Sequence, residues 1–156
     1  MAEKTILYVG ETAPDFVLKD QDKQDVQLSG FKGRRVLLSF HPLAWTGVCA
    51  EQMKSLESHE AAFAALNAVP LGLSIDHVPS KAAWAKTLSV VKTRLLADFW
   101  PHGAVAQAYG LFREKYGSSE RANVIVDGEG RVALIKVYEI PQLPDIREIL
   151  DFIGRM

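Results

Sequence analysis

The chain has 156 residues, the size of one ordinary domain, and 48% of them are hydrophobic and 24% charged. That balance excludes intrinsic disorder, collagen and coiled coil as descriptions of the whole. Eighteen basic residues against nineteen acidic ones leave a net charge of −1, so there is no electrostatic footprint for nucleic acid or an anionic membrane.

In chain order, Phe16, Val17 and Leu18 and then Val26 to Leu28 read as short strands around the polar turn Lys19 to Asp25. The densest basic cluster, Lys32, Arg34 and Arg35, is short and reads as a solvated approach to the next strand. Val36 to Phe40 is a continuous apolar run ended by Pro42, the pattern of a buried central strand. Glu51 to Asn67 predicts an amphipathic helix, with Cys49, Met53 and Leu56 at i, i+4, i+7 and Phe63 and Leu66 extending the stripe. Val69 to Ile75 is a second core strand, with Pro70 near its start where a missing N–H is tolerated. Pro79 and Ser80 open a helix through about Leu88, with Ser80 or Asp76 as its cap. Leu95 to Ala97 reads as a short strand, and His102 to Tyr109 as a helix that Gly110 terminates. Ala122 to Val126 and Val132 to Tyr138 are strands joined by the hairpin signal Asp127-Gly-Glu-Gly130. A last helix starts at Pro144, with Ile146, Ile149, Leu150 and Ile153 on one face.

This order predicts one α/β domain over residues 1–156. A central mixed sheet flanked by helices, preceded by an N-terminal β extension, fits a thioredoxin-like arrangement best, because the pair at Ala122 to Tyr138 is antiparallel. The first ten residues hold one lysine and lack the apolar stretch of about ten residues that a secretory signal requires. The long uncharged run Val36 to Ala50 is too short to span a bilayer. A soluble cytoplasmic protein is the expectation.

There is a single cysteine, Cys49. It excludes an intrachain disulfide, CxxC redox chemistry and a clustered-cysteine metal site. His59, His77 and His102 lack ligand spacing, and no metal or cofactor is called for. Alone, a cysteine is more often an inert core residue. Position argues otherwise here, because Phe40-His-Pro-Leu-Ala-Trp-Thr-Gly-Val-Cys49 joins a strand end to a helix start. Ligand sites in α/β sheets lie there, and helix N–H groups favour an anionic sulfur. Thr46 is placed to cap the helix, with its hydroxyl facing the Cys49 backbone or sulfur.

Pro42, Thr46 and Cys49 match PxxxTxxC, and with it the chain resembles the peroxiredoxins. Glu11-Thr-Ala-Pro-Asp-Phe16 is similar to their N-terminal signature, and Leu38-Ser-Phe-His-Pro42 to the strand leading to their site. Arg121, in Ser119-Glu-Arg-Ala-Asn-Val-Ile-Val-Asp127, stands where that family places its active-site arginine. The resemblance covers nearly the whole chain. It implies a thiol-dependent peroxidase that reduces hydrogen peroxide and organic hydroperoxides through a sulfenic acid on Cys49. In that reading Cys49 is the nucleophile, Thr46 hydrogen-bonds the peroxide and the thiolate, Arg121 stabilises the thiolate and the breaking O–O bond, and Pro42 shields the sulfur from water. An ordinary thiol of pKa about 8.5 is roughly 3% thiolate at pH 7, so full ionisation supplies only about thirtyfold. A large rate must come from positioning and charge stabilisation.

The sequence departs from the two-cysteine pattern and looks like the short one-cysteine form. An external thiol must resolve the sulfenic acid: a small thiol, a thioredoxin- or glutaredoxin-type protein, or the Cys49 of a second subunit. Gln52 stands where many family members have Glu, which puts a proton-handling or arginine-orienting role there in doubt. His41 reads as a packing or surface residue, Trp45 as a rim or interface aromatic, and Trp84, Trp100 and Tyr109 as core or interface. Arg94 and Arg113 are left on the surface. The resemblance further implies a homodimer through loops near the site. The competing expectation is a redox-sensing or chaperone-like binding module that uses oxidised Cys49 and turns over poorly.

Overall fold

The computed structural model describes residues 7–156. The reading of the chain start as free of a secretory signal rests largely on residues outside that range. Strands β1 (Val17–Lys19) and β2 (Asp25–Gln27) pair antiparallel around a turn in which Asp20 Oδ1 accepts the N–H groups of Asp22 and Gln24. A 3-10 turn at Leu28–Phe31 leads into β3 (Arg35–Phe40).

The single helix expected over 51–67 is two helices, α1 (Gly47–Ser58) and α2 (Glu60–Ala65). The break has a local cause. The Ser58 hydroxyl and His59 Nδ1 both bond the Ser55 carbonyl, so side chains compete for the acceptors that would continue the helix. The helix also begins earlier than expected, which puts Cys49 inside its first turn.

Next come β4 (Ala68–Ser74), α3 (Val78–Leu88) and β5 (Arg94–Ala97). Helix α4 is confined to Ala104–Ala108, shorter than the expected 102–109 because Gly103 takes a left-handed backbone at its N-cap. A two-strand ribbon of β6 (Phe112–Arg113) and β7 (Ser118–Ser119) precedes β8 (Arg121–Val126) and β9 (Val132–Tyr138). Helix α5 (Ile146–Gly154) starts two residues past Pro144, where Asp145 accepts the Arg147 N–H as an N-cap.

The main sheet runs β5-β4-β3-β8-β9, with β3, β4 and β5 parallel and β8 and β9 antiparallel. It is the mixed sheet the sequence required. Pro70 is tolerated in β4 because pairing with β5 begins only at Leu71. Gly72 is needed for a different reason: a Cβ there would overlap Met53 Sδ, so its absence lets α1 lie close on the sheet.

Alternation along β3 divides the core. Val36, Leu38 and Phe40 face a layer that includes Phe16, Val26, Leu28 and Tyr109. Leu37 faces the opposite layer with Met53, Leu56, Trp84, Ile149 and Ile153. Side chains alternate with period two, so Ser39 and His41 continue the face of Leu37. His41 N–H still pairs with the Leu73 carbonyl. Two polar side chains are thereby set into the layer of α1 and α3.

At the far end of α1, the Glu57 carboxylate accepts the N–H groups of Val91, Lys92 and Thr93. Burial pushes this carboxyl up, but the three N–H donors outweigh it and hold its pKa below the usual value. The C-terminal end of the helix that carries Cys49 is thus tied to the segment that leads into β5. Among the described residues, no helix is long and apolar enough to cross a membrane.

Candidate active site

The loop between β3 and α1 is short and strained. Trp45 adopts a left-handed backbone (φ 67), which is costly for a bulky side chain and persists only where neighbours enforce it. Asp76 Oδ2 accepts the Ala44 N–H at 2.8 Å, and the Trp45 indole N–H donates to Ser80 Oγ on α3 at 3.0 Å. Pro42 is buried at the start of this loop. The indole of Trp45 stays 52% exposed, as a rim residue would be.

Thr46 is the N-cap of α1 by backbone geometry, but its hydroxyl donates to the Leu43 carbonyl at 2.8 Å. This corrects the expectation that the hydroxyl faces the Cys49 backbone or sulfur. The turn Leu43–Thr46 folds the Leu43 carbonyl onto the hydroxyl and satisfies it locally. No side chain caps the helix and no acidic residue sits in its first turn, so the first-turn N–H dipoles face the site unneutralised.

Cys49 is a free thiol, 1% exposed. Arg121, buried on β8, donates from Nη1 to Cys49 Sγ at 3.4 Å and to Gln52 Oε1 at 2.7 Å, and from Nε to the Ile140 carbonyl at 2.8 Å. Gln52, one turn beyond Cys49, donates from Nε2 to Ser39 Oγ at 2.7 Å and to the Phe40 carbonyl at 3.1 Å. Those two acceptors fix the amide orientation, so its oxygen faces the guanidinium. The doubt about this position resolves in favour of orienting Arg121: an amide has both the donor and the acceptor that the bracket needs. Among the described residues Arg121 has no carboxylate partner. A buried cation without one is stabilised by a thiolate at Sγ.

Of the expected residues, Cys49 and Arg121 are in contact, Pro42 and Thr46 lie on the loop between β3 and α1, and Arg94 and Arg113 are elsewhere. Arg94 pairs with Asp20 at 3.8 Å and Arg113 lies over the Tyr116 ring at 4.0 Å. His41 is fully buried rather than on the surface. Its Nδ1 lies 3.4 Å from the Ser39 carbonyl, its Nε2 lies 3.0 Å from Lys81 Nζ, and its ring packs on Trp84 at 5.4 Å. Burial, with Lys81 and Arg121 nearby, pushes the His41 pKa well below its ordinary value and keeps the ring neutral.

Lys81 was not anticipated. It is 0% exposed, and a signal was available: Lys81, Trp84, Ala85 and Leu88 fall at i, i+3, i+4, i+7, so the lysine occupies the apolar stripe of α3. Ser39 and the Ile140 carbonyl were also missed, the latter because a backbone acceptor leaves no trace in side-chain types. Among the described residues no group of three or more His, Cys, Asp or Glu could hold a metal ion.

Known proteins resemble this chain over most of its length. The AhpC/TSA family matches residues 9–135. Alkyl hydroperoxide reductase E of Mycobacterium tuberculosis (strain H37Rv) is 42% identical over 144 residues, covering 92% of each chain. Peroxiredoxin-2 of Bos taurus is 30% identical over 152 residues, 92% of this chain and 75% of that one. Among solved structures, reduced 2-Cys peroxiredoxin of Plasmodium vivax superposes with a TM-score of 0.87 at 31% identity, covering 95% of this chain and 81% of that one. Peroxidoxin BcpB of Mycobacterium tuberculosis gives 0.83 at 25% identity, covering 95% and 97%. The thioredoxin-like fold expected from the order of elements is the fold of these neighbours.

Proposed function

Because the chain belongs to the AhpC/TSA family of thiol peroxidases, in its one-cysteine form, we propose that it reduces hydrogen peroxide and small organic hydroperoxides through a sulfenic acid on Cys49. The thiolate attacks the terminal peroxide oxygen. The S–O bond forms, the O–O bond breaks, and the leaving oxygen takes a proton to become water or alcohol. An external thiol then attacks the sulfenic sulfur and releases water. A second thiol frees Cys49 and departs as a disulfide with the first.

The observation that carries this reading is the guanidinium N–H aimed at the buried sulfur at 3.4 Å. Negative charge moves from sulfur to the leaving oxygen, and a donor fixed beside that path stabilises the transition state more than the ground state. The Thr46 hydroxyl spends its proton on Leu43, so its oxygen can accept the peroxide O–H and orient it. Pro42 keeps the loop closed over the site.

The test mixes reduced protein with hydrogen peroxide in stopped flow and follows tryptophan fluorescence, with Trp45 next to Thr46 as the reporter. A fast phase linear in peroxide is expected, followed by repeated turnover with added thiol. Prolonged excess peroxide without thiol should add about 32 Da, the sulfinic acid, since no neighbouring thiol traps the intermediate. Reaction no faster than a free thiolate would overturn the reading. A single oxidation without turnover, coupled to capture of a partner, would favour the redox-sensing module instead.

A cytoplasmic location and a homodimer belong to the same proposal. Leu43, Trp45, Phe99 and Trp100 are exposed, and His77 stacks edge-on against Phe99 at 4.6 Å. Leu43 and Trp45 lie on the loop that precedes α1, where a second copy would complete the wall of the site.

A further inference from the structure

We propose that Ser39 is a positioning residue for the reaction at Cys49: its buried hydroxyl receives the Gln52 amide N–H, keeps the amide oxygen on Arg121, and so leaves the second Nη1–H of that guanidinium for the sulfur. The inference rests on the peroxidase reading above and adds to it a residue that acts through two others.

The contacts run unbroken from the hydroxyl to the sulfur. Ser39 Oγ accepts from Gln52 Nε2 at 2.7 Å, Gln52 Oε1 accepts from Arg121 Nη1 at 2.7 Å, and the same Nη1 donates to Cys49 Sγ at 3.4 Å. All four residues are buried, so these bonds are made away from water, where a polar group left unpaired is costly. Strand alternation sets the serine there: it lies in β3 between Leu38 and Phe40, on the face of Leu37 that meets α1. An alanine would fill the position without a polar atom to satisfy.

The geometry gives that hydroxyl a task. Nη1 carries two hydrogens in fixed directions within the guanidinium plane. The Nε–H bond to the Ile140 carbonyl at 2.8 Å holds the plane. Gln52 Oε1 takes one Nη1 hydrogen, which directs the other at Sγ. For this the amide must present its oxygen, and two acceptors on its nitrogen hold it that way round. The Phe40 carbonyl takes one N–H at 3.1 Å, and Ser39 takes the other at the shorter distance. Without the hydroxyl the amide is held at a single point. It can then swing about the Phe40 bond and carry its oxygen off the guanidinium.

The experiment is the second-order rate constant with hydrogen peroxide, by stopped flow, for the wild type, Ser39→Ala, Ser39→Thr, Gln52→Met and the double variant S39A/Q52M. Urea unfolding establishes that each is folded. S39A should slow the reaction about three- to tenfold, the net worth of one hydrogen bond read as a rate. Threonine keeps the hydroxyl on a side chain suited to a strand, so S39T should return to within about twofold of the wild type. Methionine at position 52 has no amide to orient, so adding S39A to Q52M should cost less than about twofold. A serine that only fills space would lower the rate by the same factor in both backgrounds, and that result overturns the inference. If Q52M or the double variant does not fold, S39A and S39T decide, and equal rates for the two overturn it. A fast wild type matched by S39A removes this inference alone. A wild type no faster than a free thiolate removes the peroxidase reading and this inference together.

Discussion

Cys49→Ser is expected to abolish the fast peroxide phase while leaving the fold intact. The serine hydroxyl would occupy the same first-turn position, and Arg121 Nη1, now 3.4 Å from Sγ, could donate to it. What is lost is the nucleophile. A hydroxyl needs an adjacent general base to react, and none is in place: His41 is turned to the Ser39 carbonyl and Lys81, and the first-turn surroundings are donors. Stopped flow should show no fast phase, and intact mass should show no added oxygen on the time scale of the wild-type reaction. A fast phase that survives in this variant would move the chemistry away from Cys49.

Arg121→Ala should slow the peroxide reaction by about 10²–10³, the usual cost of removing one aimed donor at a site of developing charge. Cys49 would remain, so the effect reads directly on transition-state stabilisation. Three bonds disappear together, to Cys49 Sγ, Gln52 Oε1 and the Ile140 carbonyl. The buried Gln52 Oε1 is then left without that donor, at about 1–3 kcal/mol, and the part-buried Ile140 carbonyl loses its donor too. The rate must therefore be compared under conditions where urea unfolding shows the variant folded. Arg121→Lys keeps a charge but loses the planar fork that reaches three acceptors, so it should recover only part of the rate. Equal rates for the wild type and R121A would leave the short Arg121–Cys49 contact without a catalytic role.

Much of this was legible in the residues. The continuous apolar run Val36 to Phe40 announced a strand buried on both faces, and Asp127 to Gly130 fixed the antiparallel hairpin that makes the sheet mixed. The strand-to-helix junction located the site before any geometry was known. What periodicity could not show were local contests and long-range meetings. The end of α1 is decided by Ser58 and His59 taking one carbonyl, a side-chain event invisible to an apolar stripe. The hydroxyl of Thr46 turns on a backbone oxygen three residues away, where a capping rule expects it to turn forward. Gln52 meets Ser39 and Arg121 across 13 and 69 positions of sequence. Lys81 is the instructive miss. Its place in an apolar stripe was readable, but a lysine is ordinarily assigned to solvent.

Burial of the sulfur makes the two halves of the catalytic cycle unequal in what they can admit. A hydroperoxide reaches Sγ with two oxygen atoms leading, and the 1% exposed thiol asks little more than a narrow approach. A thiol reductant must bring a carbon chain, and a protein reductant its whole surface, into line with the same atom. On the proposed cycle, that step would need more room around the sulfur than the closed first turn of α1 leaves. Gln52, one turn further on, is clamped to β3 through Ser39 and Phe40. If the proposed chemistry holds, the buried sulfur would act as a sieve, open to a slender oxidant and closed to a bulky reductant.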